Sequence, residues 1–268
     1  SEESKHVSAM RLRVYLSPAQ QKRSATWIWI AQRFRNEAVA WLNSRRRARA
    51  QWLAQHPGQK APPDLAERDC KVLSRWLTEQ LERSREFAVR EFALVGGKQQ
   101  LGEAFTRAWN CLSRGEREEV RERCKLLGIH LDWLGVPRTI LDQVVRDLDK
   151  TCQKAIKDRA ERKKARAEGK PGNRRLAGVP VFKKAHFPGS IRLQVDPARN
   201  PTFSQCWAAG EIVLPGLGRL LVRESGYDFP KTPPKLITLS RNAANQWHVS
   251  FVCVEGEGLG ARKRAQAM

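Results

Sequence analysis

Near the start of the chain the apolar positions fall on every second residue. Leu12, Val14 and Leu16 alternate with Arg11, Arg13 and Tyr15, the pattern of a strand with one face buried. Ser17-Pro18-Ala19-Gln20 follows, in which Ser caps, Pro suits the first helical position and Gln closes a capping box, so the spacing predicts a helix from Pro18. Counting 100° per residue from Trp27, residues Ile30, Ala31, Phe34, Ala38, Trp41 and Leu42 fall within about 60° of it and form one buried stripe. Trp29, Arg33, Asn36, Ala40 and Arg47 take the opposite side. An indole there, beside Arg33 and Asn36, is either covered by another domain or free to meet nucleic acid.

His56-Pro57-Gly58 and Ala61-Pro62-Pro63 break this helix from a second helical block over 64–127, in which Leu73, Trp76, Leu77 and Leu81 form the buried stripe and Gly96-Gly97 a bend. A further long helix follows Gly135-Val136-Pro137, with Leu141, Val144, Leu148, Cys152, Ala155 and Ile156 on its apolar side. The stretch 159–175 is dense in charge and punctuated by glycine, which predicts a basic loop running on toward residue 185. From Ser190 the period returns to two: Ile191, Leu193 and Val195, then Ile212 and Leu214 before Pro215-Gly216, then 220–223, then Trp247, Val249, Phe251 and Cys253, with 242–245 as a hairpin turn. One strand, a helical insertion and a run of strands predict an α+β chain in which the first strand rejoins the later ones. That makes a β-barrel interrupted by a helical domain, with 1–16 as the first barrel strand, 17–185 helical, 186–254 the rest of the barrel and 255–268 a trailing linker.

Charge then narrows the function. Lys and Arg number 50 against 28 Asp and Glu, a net charge of +22, which points to a polyanionic partner, with nucleic acid ahead of anionic membrane. Between residues 141 and 185 alone there are fourteen Lys/Arg and six Asp/Glu. The nine Trp and 41% apolar content exclude a disordered basic tail. Six cysteines, at 70, 111, 124, 152, 206 and 253, include no zinc-site spacing and read as reduced thiols. No apolar run has the length of a membrane span, and the acidic start Ser-Glu-Glu-Ser has no signal-peptide core, so an intracellular, cytoplasmic protein is expected. Hydrolase triads, phosphate-binding loops and HExxH are absent, and the five His are dispersed. Asp142, Asp147 and Asp149 share one helix, but Asp147 points away from the other two, and Asp142 is spaced to pair with Arg146, which argues against a metal cluster.

Several segments occur together in order: Arg33-Phe34-Arg35-Asn36; Gly178-Val179-Pro180-Val181-Phe182-Lys183-Lys184; Leu214-Pro215-Gly216-Leu217-Gly218; 236–241; and 248–252. In this the chain resembles the N-terminal half of TnpB proteins of insertion sequences and the related compact type V CRISPR effectors, with the Gly-x-Pro-x-Phe-Lys-Lys segment the most specific element. The resemblance implies a wedge-type split barrel carrying an inserted recognition lobe. It also implies a prokaryotic, RNA-guided system that holds guide RNA, grips the guide–target heteroduplex and lies against the target-adjacent motif, with sequence choice left to base pairing. Family nucleases continue into a RuvC-type domain whose catalytic carboxylates take Mg2+. Residues 255–268 contain no Asp, so no catalytic or metal-binding residue and no cofactor is assigned to this chain. It is expected to be either the recognition portion of a nuclease or a relative that only binds.

The partners implied are guide RNA, target DNA and a nuclease-bearing chain or second protomer, and no membrane. The expected phosphate-gripping residues are Arg45, Arg46, Arg47, Arg49, Lys163, Lys164, Lys183 and Lys184, and Trp29, Arg33 and Asn36 on the exposed helix face are further expected nucleic-acid contacts. Phe182 is a candidate for stacking on RNA, or else for packing on the barrel. Thr139 and Gln143 correspond to the region near the target-adjacent motif, Gln being able to read adenine. The alternative is a non-catalytic basic RNA- or DNA-binding protein, structural or repressive, without guide dependence.

Overall fold

A computed structural model of the chain describes residues 7–62, 69–94, 101–169, 180–182, 189–195, 200–223, 229–230 and 232–254. The strands are β1 (Val7–Tyr15), β2 (Ser190–Gln194), β3 (Ile212–Leu214), β4 (Gly218–Val222), β5 (Leu236–Arg241) and β6 (Trp247–Val254). The helices are α1 (Pro18–Gln55), α2 (Asp69–Phe92), α3 (Leu101–Cys111), α4 (Arg114–Leu127), α5 (Arg138–Ala167) and α6 (Pro201–Ala208), with a 3-10 turn at Leu131–Gly135. No helix among the described residues is long and apolar enough to cross a membrane. The chain divides into two compact units, one formed by residues 1–29 and 185–268 and the other by 30–184. The boundary falls inside α1, whose first three turns belong with the strands.

In the first unit the six strands form one antiparallel sheet, curled into a half-barrel, in the order β2-β5-β6-β1-β4-β3. The first strand therefore lies in the middle of the sheet. It pairs with β6 from Val7↔Val254 to Val14↔Trp247 and with β4 through Val14↔Val222 and Tyr15↔Leu221. Alternation decides the buried face: Leu12, Val14, Ile191, Leu193, Ile237, Leu239, Trp247, Val249 and Phe251 point into the core. The β5–β6 hairpin closes at Asn242, whose side chain accepts the Gln246 N–H at 2.8 Å, while Asn245 takes the left-handed conformation.

Both halves of the Ser17 capping box form: the Ser17 N–H donates to Gln20 Oε1 (2.9 Å) and the Gln20 N–H to Ser17 Oγ (3.3 Å). Gln20 also donates through Nε2 to the carbonyls of Leu217 (2.8 Å) and Arg219 (2.9 Å), which ties the start of α1 to the β3–β4 turn. The period-two pattern gives no hint of α6. Asn200 caps it, its Oδ1 accepting the Phe203 N–H at 3.1 Å, and Phe203 and Trp207 fill the space over the sheet. The Trp207 indole stands edge-on to Phe251, with ring centres 4.9 Å apart, and donates to the Pro230 carbonyl at 2.7 Å.

In the second unit the core is built from the α1 stripe, α2, the 3-10 turn and α5. Phe34 is fully buried, edge-on to Trp133 at 4.9 Å, and stacked near Trp76 at 6.1 Å; Trp41 stacks on Trp76 at 5.6 Å. A satellite cluster joins Ala88, Phe105, Val120, Cys124 and Leu131, and there α4 is capped by a complete Ser113/Glu116 box and by Gly128 in the left-handed conformation. On α5 the buried residues are Ile140, Leu141, Gln143, Val145, Leu148, Cys152 and Ala155, while Ile156 is 59% exposed, so the inward stripe is rotated from the expected one. The expected basic loop over 159–175 is corrected as far as residue 169, and 170–175 lie outside the described residues. α5 continues to Ala167, because Ala, Arg, Lys and Glu are strong helix formers and Lys157–Glu161 and Lys164–Glu168 pair one turn apart (3.8 and 4.0 Å).

Candidate nucleic-acid interface

Residues 40, 43, 47 and 50 recur on one side of α1 at helical spacing. They are Ala40, Asn43, Arg47 and Ala50, and with Arg46 and Phe182 they line a cleft of about 550 Å³ inside the second unit. The small side chains at 40 and 50 leave the space, and two guanidiniums with one amide give it polarity. Phe182 comes from beyond α5 and remains 58% exposed, so its ring is presented rather than packed. The segment that carries it is pinned: Pro180 is buried, and Arg35 Nη1 donates to the Val181 carbonyl at 2.7 Å. Burial pushes the Arg35 guanidinium down from its ordinary value, and Arg retains its charge in proteins at neutral pH.

Arg46 reaches across to α5 and places Nη2 3.1 Å from the buried Cys152 Sγ. Arg45 lies over the Trp41 ring at 5.9 Å. Arg47 and Arg49 are exposed, and of these two Arg47 lines the cleft. No carboxylate is among the described lining residues. A guanidinium pair beside an open aromatic face can grip a phosphate and stack a base.

The other expected contacts are placed elsewhere. In the first unit Trp29 is 45% exposed. In the second, Arg33 pairs with Asp132 at 3.2 Å and Asn36 is half-buried. Thr139 is exposed on the first turn of α5, whereas Gln143 is buried and its Nε2 donates to Asp147 Oδ1 at 3.0 Å. Lys163 and Lys164 are exposed at the end of α5 and do not line the cleft. Lys183 and Lys184 lie outside the described residues. Asp142 pairs with Arg138 at 3.3 Å, and among the described residues no group of three His, Cys, Asp or Glu could hold a metal ion.

Among the polar residues of the site, Arg35 and Asn43 were not singled out from the sequence. Asn43 was within reach, because it lies seven residues from Asn36 and so on the same helical face. Arg35 was not, since its role depends on where residue 181 arrives. No protein-family model and no curated protein matches this chain.

Proposed function

We propose that this chain is a nucleic-acid-binding module of an RNA-guided DNA endonuclease system: it holds guide RNA and the guide–target heteroduplex and supplies no catalytic group of its own. The observation that carries this reading is the cleft that unites Arg46 and Arg47 with the exposed Phe182, residues far apart in the chain whose chemistry is that of phosphate and base recognition. The net charge of +22 supports the same class of partner. The sequence resemblance supports the same reading, and Phe182, one residue of its most specific segment, lines the cleft.

The test is RNA binding as a function of salt. Arg46→Ala/Arg47→Ala removes two phosphate contacts and is expected to lower the salt slope on single-stranded RNA by about 1.4. Phe182→Ala is expected to weaken binding by about 1–3 kcal/mol at the stacked base. Guide dependence is read by adding a labelled DNA target to protein carrying a matched or a scrambled guide RNA. Equal retention of DNA with both guides would make the chain a guide-independent nucleic-acid binder, and unaltered RNA binding in both cleft variants would remove the cleft from the interface.

A further inference from the structure

Two exposed apolar side chains stand directly opposite each other on the outward side of the sheet. Strand register pairs Tyr15 of β1 with Leu221 of β4, and the two are 49% and 64% exposed, while Val14, Leu16 and Leu220 beside them are buried. The next outward position on each chain segment is an arginine. The Arg223 N–H donates to the Arg13 carbonyl at 2.9 Å, which carries the pairing one residue past β4 and sets Arg13 opposite Arg223. Arg11 follows two residues further along β1. The outward positions therefore make three rows, Tyr15 with Leu221, then Arg13 with Arg223, then Arg11, at intervals of about 7 Å along the strands.

Like charges directly opposite each other in a sheet are destabilising. Among the described residues no carboxylate pairs with Arg11, Arg13 or Arg223, and β1, β4 and β6 contain no Asp or Glu. Arg219, inside β4, shows the contrast, since Glu211 matches it at 2.7 Å. Arg13 is half-buried, with its guanidinium 5.7 Å from the centre of the Tyr15 ring, so one charge of the opposed pair is held against the apolar row. Uncompensated charge and uncovered apolar surface thus lie side by side, and one ligand that carries both chemistries relieves both.

We infer that this patch docks an acidic segment of a partner protein: an extended stretch that seats one apolar residue on Tyr15 and Leu221 and sets carboxylates, two and four residues away, on Arg13 with Arg223 and on Arg11. Side chains on one face of an extended chain recur every two residues, the same spacing of about 7 Å that separates the three rows. Carboxylates meet guanidiniums in a planar, two-point geometry. Arg and Tyr are enriched where proteins meet and Lys is depleted there, and the six strands hold no Lys. Leu221 decides between a protein and a nucleic acid. A sugar–phosphate strand satisfies arginines equally well but gains little from an aliphatic side chain, whereas a partner's apolar residue gains from all of Leu221 that it covers. None of these residues lines the cleft, and the inference does not rest on the proposed function.

The experiment titrates the whole chain with two fluorescent peptides of equal charge and capped ends, Gly-Phe-Ser-Glu-Ser-Glu-Gly and Gly-Ser-Ser-Glu-Ser-Glu-Gly, across a salt series. The peptide with Phe is expected to bind at least about fivefold more tightly. Leu221→Ser, a change at an exposed position, is expected to remove that advantage and leave the other peptide's affinity as it was, whereas Arg13→Ser/Arg223→Ser is expected to weaken both peptides and flatten their salt dependence. With a benzophenone in place of the Phe ring, the unaltered protein is expected to crosslink at the segment containing Tyr15 or Leu221, a readout independent of any variant's folding. Equal binding of the two peptides by wild type, or a crosslink mapped to other segments, overturns the docking site. If the two peptides bind alike and a single-stranded RNA 12-mer loses affinity in Leu221→Ser, the patch belongs to nucleic acid and the assignment to a protein partner falls.

Discussion

Replacing Gly216 by Ala tests how tightly the β3–β4 turn is built against α1. Pro215 and Gly216 are the central residues of a turn closed by the Leu217 N–H on the Leu214 carbonyl at 3.1 Å, and Gly216 has φ +74°. An L side chain there costs about 1–2 kcal/mol for the left-handed backbone alone. A Cβ would also stand 2.9 Å from Trp27 Cη2 and 3.3 Å from Cζ2, and the indole is only 4% exposed, so it has little room to retreat. Overpacking of that kind adds about 1–3 kcal/mol. Gly218 provides the control within the same turn, because its φ is +78° but nothing lies within 4 Å of its Cβ direction. Gly216→Ala is therefore expected to lose about 2–5 kcal/mol and Gly218→Ala about 1–2 kcal/mol. Equilibrium urea unfolding measures the difference, and hydrogen exchange at the amides of β3 and β4 reports it for the first unit alone. Equal losses in the two variants would refute the close approach of Trp27 and the energetic account that rests on it.

Two further outcomes follow from titratable groups in the second unit. Burial holds the His130 imidazole below its ordinary 6.5 while the ring stacks on Trp133 at 4.0 Å. As pH falls through that value the unfolded chain takes up the proton first, so the contribution is complete above it and is lost below, with a slope of at most about 1.4 kcal/mol per pH unit. Thermal melts at about pH 7.5 and about pH 5.5 should show this loss in wild type and less of it in His130→Phe, which keeps an aromatic ring on Trp133; an identical loss in the variant would assign it elsewhere. The Cys124 thiol is 6% exposed and pushed up to about 11 by burial, whereas Cys111 is exposed. Alkylation of the native protein near pH 8 should modify Cys111 well before Cys124, as read by peptide mass, and simultaneous labelling would contradict the packing of the satellite cluster.

The features legible in the sequence are those set by near neighbours. The Ser17–Gln20 box is a four-residue device and forms as spelled. Leu12, Val14, Val249 and Phe251 alternate because one face of each strand is buried, and that alternation also implied that β1 rejoins the late strands, as it does. The elements that escaped are those decided by distant partners. α6 has Phe203 and Trp207 four residues apart, too short a run for periodicity to separate from the strands around it. On α5 both Val144 and Val145 are apolar, and it is tertiary packing, to which α2 contributes, that buries Val145 and Gln143 more fully than Val144. The charge of α1 was plain from composition, yet its meeting with Phe182 depends on residues more than a hundred positions away, where Arg35 donates a hydrogen bond to the Val181 carbonyl.

The place of β1 has a consequence for synthesis on the ribosome. A strand made at residues 7–15 occupies the centre of the sheet, and its longest partner, β6, is made at 247–254. At roughly 5–20 residues per second the nascent β1 waits about 12–50 seconds for that partner, while the described helices of the second unit emerge in between. Both edges of β1 carry unpaired backbone groups throughout that interval, and its other neighbour, β4, arrives only shortly before. Arg11 and Arg13 serve a purpose in that interval, because charge on an orphan strand discourages its pairing with another nascent chain.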